Sequence, residues 1–382
     1  MRRYRWTILA LGAAAQGSYA AIFLGLPVLA PALQAEYDLS LTRIGVLLAA
    51  PNLGSVATLL AWGLAADRIG ERVVLAAGLL VAAVALGAAA FAPDFGVLVA
   101  ALVVAGAAGA SVNAASGRAV MGWFDPGERG FALALRQTSN PLGGLLAAVC
   151  LPPIVAVGGV RAGLLALAGF CAVTAIAGAV GLREAPAGRD VGPYAGHPLR
   201  DGRIWRVSAG SGLLVLAQMS ILSFTVLFLH EERGFSTAAA AGVLAGIQAA
   251  GAVLRIAAGR WSDRMGVRIA PLLRLSFAFA AALALTAALT AAPLALLVPA
   301  LLLAGALSQS WNGLSFTATA EIAGRARSGA ALGFQQTSLA VAAAVATPVF
   351  AATVEASSWG VAFGLAALLP LAGAGLVRRI AV

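Results

Sequence analysis

Residues 63–72 read GLAADRIGER, and residues 259–268 read GRWSDRMGVR. Both stretches place Gly, Asp-Arg, Gly and Arg at the same spacing, 196 positions apart. The same offset pairs Glu36 with Glu232, Ser40 with Ser236 and Asn52 with Gln248. An offset of 199 pairs Gly106 with Gly305, Ser111 with Ser310, Asn113 with Asn312, Gly130 with Gly329, Gln137 with Gln336 and Thr138 with Thr337. Matches at two nearby offsets along the chain indicate a tandem duplication.

The composition places this duplication in a membrane. The chain has 382 residues, of which 61% are hydrophobic and 10% are charged, and its mean hydropathy is +0.94. A soluble globular protein is about half apolar and about a quarter charged. Since too few polar residues remain to cover a surface in water, most of the surface is expected to face lipid.

Apolar runs long enough to span a bilayer need roughly 20 residues each. The sequence predicts about twelve of them, interrupted by turn residues and by short charged gaps. The predicted spans are 6–34, 41–66, 72–92, 95–123, 130–156, 162–182, 204–230, 237–258, 269–291, 294–318, 329–353 and 358–377.

The arginines concentrate in alternate gaps between these spans, which is the positive-inside pattern. It predicts a multi-pass protein of the plasma membrane (the inner membrane of a bacterial cell) with both termini in the cytoplasm. The one long polar stretch, residues 183–203, is rich in proline and glycine and is predicted to be a cytoplasmic linker. The predicted domains are therefore a six-helix bundle at 1–182, the linker at 183–203, and a second six-helix bundle at 204–382.

Several function classes are disfavoured by residue types. All 25 basic residues are arginine, so a P-loop, which needs its lysine, and Schiff-base chemistry are excluded. The net charge of +10 is explained by loop arginines, and no nucleic-acid partner is expected. Cys150 and Cys171 lie in apolar runs without metal-ligand spacing. We expect no enzyme, no metal and no cofactor.

The two ten-residue loops resemble the signature between the second and third helices of the major facilitator superfamily (MFS), and the likeness extends over essentially the whole chain. This resemblance implies an all-α membrane protein with twelve transmembrane helices in two pseudo-symmetric six-helix bundles. It further implies a secondary transporter working by alternating access, without ATP. In the family the loop residues brace the bundles on the cytoplasmic side, which implies a gating role for Gly63, Asp67, Arg68, Arg72, Gly259, Asp263, Arg264 and Arg268.

Substrate sites in such folds lie near the membrane midplane between the bundles. Polar residues deep in apolar spans are therefore the candidates, although a helix–helix hydrogen bond explains any single amide about equally well. The predicted substrate-binding residues are Gln16, Tyr19, Asn113, Arg136, Gln137, Asn140, Gln218, Trp311, Asn312, Gln335 and Gln336. Gln16 and Tyr19 are expected to share a helix face, as are Arg136 and Asn140.

The charged residues suggest the sign of the solute. Arg136 lies about two turns inside its span, whereas all fifteen carboxylates fall in loops or near span ends. This favours a small organic anion or a neutral polar solute, with a coupling ion left open and a monomer expected. Export of drugs or metabolites by antiport is the alternative, although Asn140 departs from the glycine found in the antiporter motif. A transporter-like sensor or scaffold is the alternative of another class.

Overall fold

The computed structural model describes residues 4–124, 128–183, 200–324 and 328–380. Over these residues the secondary structure is helical, without strands. The helices are α1 Tyr4–Tyr37, α2 Leu41–Ile69, α3 Glu71–Ala89, α4 Phe95–Gly109, α5 Ser111–Trp123, α6 Arg129–Gln137, α7 Ser139–Gly181, α8 Gly202–Glu231, α9 Thr237–Met265, α10 Ile269–Ala288, α11 Leu294–Ser310, α12 Asn312–Ala323, α13 Ser328–Ala356 and α14 Trp359–Val377.

Eleven segments of this described part are long and apolar enough to cross a membrane. The longest, Leu135–Gly181, contains a break at Gly159, whose φ of 66° lies outside the right-handed helical region. Glycine adopts this angle without a steric penalty, so the chain turns there between the predicted spans 130–156 and 162–182. With the two sides of Gly159 counted separately, the segments match the twelve predicted spans, and the predicted all-α membrane fold is confirmed.

Three predicted spans are interrupted at a single residue that the sequence analysis did not foresee. Ala110 separates α4 from α5, Thr138 separates α6 from α7, and Trp311 separates α11 from α12. All three residues keep right-handed helical backbone angles. The hydrogen-bond pattern is therefore broken locally, while the span continues.

The chain divides into two compact units. The first unit comprises Met1–Ser40, Val46–Asp190 and Ser236–Ala241, and the second comprises Leu41–Gly45, Val191–Phe235 and Gly242–Val382. In the first unit, α7 packs against α1 and α3, and in the second unit, α8 and α10 pack against α14. Residues 184–199, most of the predicted linker, lie outside the described residues, so the predicted boundaries at 182 and 203 stay a prediction.

One helix in each unit is central to it. The most apolar window of α1 is 67% buried and that of α8 is 83% buried, against 39–56% for the other membrane-spanning segments. Because α1 and α8 occupy equivalent places in the duplicated sequence, both are expected to carry polar side chains that meet partners from several helices.

Close helix crossings in the first unit depend on glycine. A Cβ atom placed on Gly143 of α7 would lie 2.2 Å from the carbonyl oxygen of Gly17 in α1. A Cβ atom on Gly106 of α4 would likewise lie 2.0 Å from the carbonyl oxygen of Pro51 in α2. Small residues of this kind let membrane helices approach closely enough for van der Waals packing. The Gly143 crossing brings Asn140, one turn earlier in α7, next to α1.

We predict that Gly143→Ala destabilises the protein, because the new methyl group must displace backbone of α1. Overpacking of this kind costs about 1–3 kcal/mol. Gly169→Ala on the same helix is the control, since a Cβ atom there meets no atom within 4 Å. Thermal unfolding of the purified variants in detergent should show a lower midpoint for Gly143→Ala only. Equal midpoints for both variants would contradict the close crossing.

Candidate functional site

A polar cluster surrounds Arg136 in the first unit. The Arg136 side chain is 6% exposed, and its Nε atom donates to Ser116 Oγ of α5 at 2.8 Å. Its Nη2 atom donates to Gln16 Oε1 of α1 at 2.7 Å. The Ser116 hydroxyl donates a hydrogen bond to the carbonyl oxygen of Val112, so its oxygen can accept one from the guanidinium. These contacts join α1, α5 and α6.

The cluster extends from Gln16 into α7. The Gln16 amide nitrogen donates to Asn140 Oδ1 at 2.9 Å, and the Asn140 amide donates to Gln137 Oε1 at 3.3 Å. Gln16 therefore uses its oxygen for Arg136 and its nitrogen for Asn140, so its orientation is fixed from both sides. The Arg136 cluster, as we call it, consists of Gln16, Ser116, Arg136, Gln137 and Asn140. The structure thus brings together four of the predicted substrate-binding residues.

The acceptors around Arg136 are neutral. Among the residues that the structure describes, no carboxylate lies within ion-pair distance of its guanidinium. A guanidinium has five N–H donors, and the two bonds above leave three without a protein acceptor in the described part of the chain. Gly117 of α5 packs beside the guanidinium, since a Cβ atom there would lie 3.5 Å from Nη1. A buried cation held only by neutral groups is electrostatically unsatisfied and attracts an anion.

The second unit contains a cluster with the same layout. Gln335 Nε2 of α13 donates to Ser315 Oγ of α12 at 2.6 Å and to Ser211 Oγ of α8 at 3.4 Å. The two serine hydroxyls are also hydrogen-bonded to each other. All three side chains are fully buried. We refer to Ser211, Ser315 and Gln335 as the Gln335 cluster.

The two clusters are related by the internal duplication. Ser116 and Ser315 are 199 positions apart, and so are Arg136 and Gln335. In each unit the later residue reaches back 20 positions to the serine and also contacts the central helix, α1 or α8. The frame is therefore repeated, but a permanent cation in the first unit is replaced by a neutral amide in the second.

A chain of amides forms a further polar region in the second unit. Gln309 Nε2 donates to Gln248 Oε1 at 2.8 Å. Asn312 Nδ2 lies 3.5 Å from Gln218 Oε1 and 3.4 Å from the Gln309 carbonyl oxygen. Arg255 Nε donates to the same carbonyl oxygen at 3.1 Å. The predicted pair Gln218 and Asn312 thus belongs to a network linking α8, α9 and the junction of α11 and α12.

Some polar atoms in the second unit are buried without a protein partner. Among the described residues they include Gln248 Nε2, Trp311 Nε1 and Gln335 Oε1. An unpaired buried donor or acceptor costs about 1–3 kcal/mol. Of these atoms, only Gln335 Oε1 belongs to the Gln335 cluster, and Ser208 Oγ and Thr319 Oγ1 are unpaired in the described part of the same unit as well.

In the described part of the chain, no side-chain hydrogen bond joins the remaining predicted residues to these clusters. Tyr19 donates to or accepts from Ser55 at 2.6 Å and packs edge-on against Phe23, so its hydroxyl meets α2 whereas Gln16 meets Arg136. Asn113 and Gln336 are half-buried. Trp311, at the junction of α11 and α12, is 1% exposed.

The loops predicted to act in gating have similar backbones but different contacts. Gly70 and Gly266 both have positive φ, 83° and 67°, at the ends of α2 and α9. Arg72 donates to the Ala179 carbonyl oxygen at 2.5 Å. Arg268 instead pairs with Asp263 at 2.5 Å and with Glu321 at 3.0 Å.

Each unit therefore ties its own loop to its own helices. Partial burial lowers the pKa of Arg268, but hydrogen bonds to Asp263 and Glu321 more than offset this and raise it overall. Arg68 and Arg264 are exposed, and Gly63 and Gly259 have open space beside them. The side chain of Asp67 lies outside the described residues.

Sequence reasoning missed Ser116, Ser211, Ser315 and Gln309. Serine is common in apolar spans, so none of the three serines was identified as a candidate by itself. The offset of 199 contained a usable signal, because it aligns Ser116 with Ser315 at the same distance from Arg136 and Gln335.

Comparison with known proteins identifies the family. Residues 11–347 match the Major Facilitator Superfamily. The chain belongs to this superfamily. The MFS-type transporter Rv2994 of Mycobacterium tuberculosis (strain ATCC 25618 / H37Rv), itself uncharacterised, is 35% identical over 98% of this chain and 84% of its own length. The hexuronate transporter of Bacillus subtilis (strain 168) is 27% identical over 32% of this chain and 29% of its own.

Solved MFS structures share the fold. A bacterial homolog of the human lysosomal transporter Spinster, in an inward-facing and occupied conformation, aligns with a TM-score of 0.78 at 15% identity, covering 98% of this chain and 96% of that one. The nucleoside transporter NupG aligns with a TM-score of 0.76 at 14% identity, covering 97% and 98%. The predicted family and fold are thus confirmed, and the protein is a multi-pass MFS transporter with a small-molecule substrate.

We predict that Gln16→Leu lowers stability by about 2 kcal/mol or more, because Arg136 and Asn140 each lose a buried hydrogen-bond partner. Gln34→Leu, on the same helix, is the control, since the Gln34 side chain makes no hydrogen bond within the described structure. Thermal unfolding in detergent measures both. In the double variant Gln16→Leu/Arg136→Leu the loss should be less than additive. Additive losses would show that the two side chains do not interact.

Proposed function

We propose that the protein is a secondary transporter of a small organic anion and that Arg136 binds the anionic group. The observation that carries this proposal is the buried guanidinium of Arg136, which has only neutral hydrogen-bond partners in the described structure. A carboxylate would supply both the missing charge and the missing acceptors, in the two-pronged geometry that guanidinium groups favour.

The positions of the carboxylates also favour a negatively charged solute. The acidic side chains that form ion pairs in the described structure lie at helix ends, where Glu71 pairs with Arg118 and Glu128 pairs with Arg5. Neither Asp263 nor Glu321, which pair with Arg268, lies deep in a span. A cationic solute would therefore lack a buried counter-charge, while an anionic one has Arg136. The partial relative named a hexuronate transporter acts on an anionic sugar acid by its name, which agrees with this proposal.

Binding of an anion by Arg136 does not by itself carry the anion across the membrane, so the proposal includes a transport mechanism. We infer alternating access of two six-helix bundles, with the repeated loops 63–72 and 259–268 acting in gating on the cytoplasmic side. The different contacts of Arg72 and Arg268 support unequal roles for the two loops. Contacts made in one conformation and lost in another bias the equilibrium between them.

Arg136→Gln should raise the Km for organic-anion uptake into proteoliposomes by about tenfold or more, because a charge-assisted hydrogen bond contributes about 1.5–3 kcal/mol. Arg136→Lys should give a smaller loss, since lysine keeps the charge but not the planar fork. Arg118→Gln is the matched control, because Arg118 is exposed and pairs with Glu71 at a helix end. An unchanged Km for Arg136→Gln, with intact protein, would refute the anion site.

Flux measurements separate the transporter from the alternative classes. Liposomes containing the purified protein and no nucleotide should take up the anion saturably. A bound anion that never crosses the bilayer would instead indicate the sensor or scaffold. Uptake of a cationic drug in exchange for protons, with no response to anions, would favour the antiporter.

A further inference from the structure

A cavity of about 390 Å³ lies at one end of the second unit. It is bordered by the C-terminal end of α8, the turn between α10 and α11, and the turn between α13 and α14. This is the end opposite to the loop 259–268, and on the topology predicted from the arginines it faces away from the cytoplasm. Its volume suits a small molecule. The side chains that line it include Phe228, Glu232, Arg233, Thr290, Ser358 and Trp359.

The first unit fills the equivalent place with its own side chains. The guanidinium carbon of Arg161 lies 3.9 Å from the centre of the Phe91 ring. The offset of 199 pairs these two residues with Gly360 and Thr290, which both line the cavity. The same offset relates the ends of α3 and α10 and the starts of α4 and α11. A glycine and a threonine therefore replace a guanidinium and a ring, and the second unit has open space at this position.

Two opposite charges border the cavity, and they belong to adjacent residues. Glu232 Oε1 accepts from Trp359 Nε1 at 3.0 Å, and Oε2 accepts from no protein donor among the described residues. Arg233 donates to the carbonyl oxygens of Thr290 and Ala292 at 3.0 Å and 2.6 Å. These bonds leave three of its five N–H donors without an acceptor in the described structure. Neither side chain forms an ion pair in that part of the chain.

The contact that Arg233 makes with the neighbouring turn does not require a charge. Asp38 and Gly234 are 196 positions apart and both have positive φ, 48° and 67°, so the chain leaves α1 and α8 in the same way. The residue before this turn is Tyr37 in the first unit, and its hydroxyl donates to the Ala92 carbonyl oxygen at 2.9 Å. A neutral phenol thus makes in the first unit the contact that a guanidinium makes in the second. The positive charge of Arg233 is therefore additional to the structural contact.

A ligand that carries both charges matches this arrangement. Its carboxylate can accept from the remaining N–H groups of Arg233, and its ammonium group can bind Glu232 Oε2. Phe228 and Trp359 add an aromatic wall, which attracts ammonium groups. Trp359 is held rigidly, since it packs against four phenylalanine rings and is 7% exposed. A simple anion would leave Glu232 without a counter-charge, and a simple cation would leave Arg233 without one.

We propose that this cavity binds a small zwitterion, such as an amino acid or a betaine. All of its lining residues belong to the second unit, and none of them belongs to the Arg136 cluster. The inference is therefore independent of the proposed function, and the site is a second one on the same chain.

The test compares glycine betaine with two compounds of nearly the same shape. Choline keeps the trimethylammonium group and lacks the carboxylate, whereas 3,3-dimethylbutyrate has carbon in place of nitrogen and keeps only the negative charge. Glycine and γ-aminobutyrate are further zwitterions with different distances between their charges. Dissociation constants are measured by calorimetry with the purified protein. Each titration is repeated with Arg136→Gln, so that a carboxylate bound at Arg136 is not counted as binding in the cavity.

Three variants alter the cavity in different ways. Glu232→Gln removes the negative charge. Arg233→Tyr removes the positive charge and introduces the residue that makes the equivalent contact in the first unit. Thr290→Phe places a ring in the cavity, as the first unit does. Glu36→Gln is the matched control, because it is the equivalent of Glu232→Gln in the first unit, where side chains fill the corresponding place. Thermal unfolding checks that each variant folds.

We expect at least one zwitterion to bind about tenfold or more tightly than both choline and 3,3-dimethylbutyrate, because a charge-assisted hydrogen bond contributes about this factor. Glu232→Gln should weaken the zwitterion about tenfold or more without weakening 3,3-dimethylbutyrate. Arg233→Tyr should weaken it similarly without weakening choline. Thr290→Phe should abolish binding, and Glu36→Gln should change nothing. If Thr290→Phe does not fold, the two charge variants decide.

Several outcomes would overturn the proposal. No binding of any zwitterion, or equal affinities for betaine, choline and 3,3-dimethylbutyrate, would do so. Binding that survives all three cavity variants would show that the zwitterion binds elsewhere. Equal losses for all three compounds in Glu232→Gln and Arg233→Tyr would show a merely structural role. Loss of zwitterion binding in Arg136→Gln, with none in the cavity variants, would overturn the cavity site and leave the anion site standing.

Discussion

The burial of the Arg136 guanidinium is the constraint on which the candidate site depends. A buried cation in a membrane helix is costly, up to roughly 2.5–3.5 kcal/mol at the helix centre on insertion scales, and the hydrogen bonds that Arg136 donates to Ser116 and Gln16 recover part of this cost. These partners come from α5 and α1, so the charge dictates how three helices meet. The close approach of Gly143 to Gly17 then brings Asn140 to the other side of Gln16. Electrostatics and helix packing in the first unit are therefore parts of one arrangement.

Duplication explains why the second unit has the same arrangement without the charge. Gln335 occupies the place of Arg136 and reaches the equivalent serine at 2.6 Å, against 2.8 Å in the first unit. A glutamine can replace an arginine here because both side chains are long, unbranched and end in planar N–H donors. The exchange leaves the packing of the central helix, α1 or α8, in place. The polar chemistry at this position therefore differs between the two units, while the contacts with the serine and with the central helix are kept.

The sequence was sufficient for the fold because apolar length and repeat offsets are properties of whole segments. No detail of side-chain contacts was needed to recognise the loops 63–72 and 259–268 and the spans around them. The site could not be predicted in this way, because a hydrogen bond between two side chains depends on their rotamers and on differences in distance of a few tenths of an ångström. Gln16 and Tyr19 were expected to act together from their spacing, yet the structure gives them partners in different helices. The helices are interrupted at Ala110, Thr138 and Trp311, none of which is proline or glycine, so these residues gave no turn signal in the sequence.

The neutral partners of Arg136 also bear on release of the solute. A protein carboxylate in ion-pair contact would neutralise the guanidinium permanently and would compete with an anion for it. Ser116 and Gln16 hold the guanidinium in place without neutralising it, so on the proposed function the charge is available to the anion when it arrives. When the anion leaves, the same two hydrogen bonds still solvate the buried cation in part, which limits the cost of release.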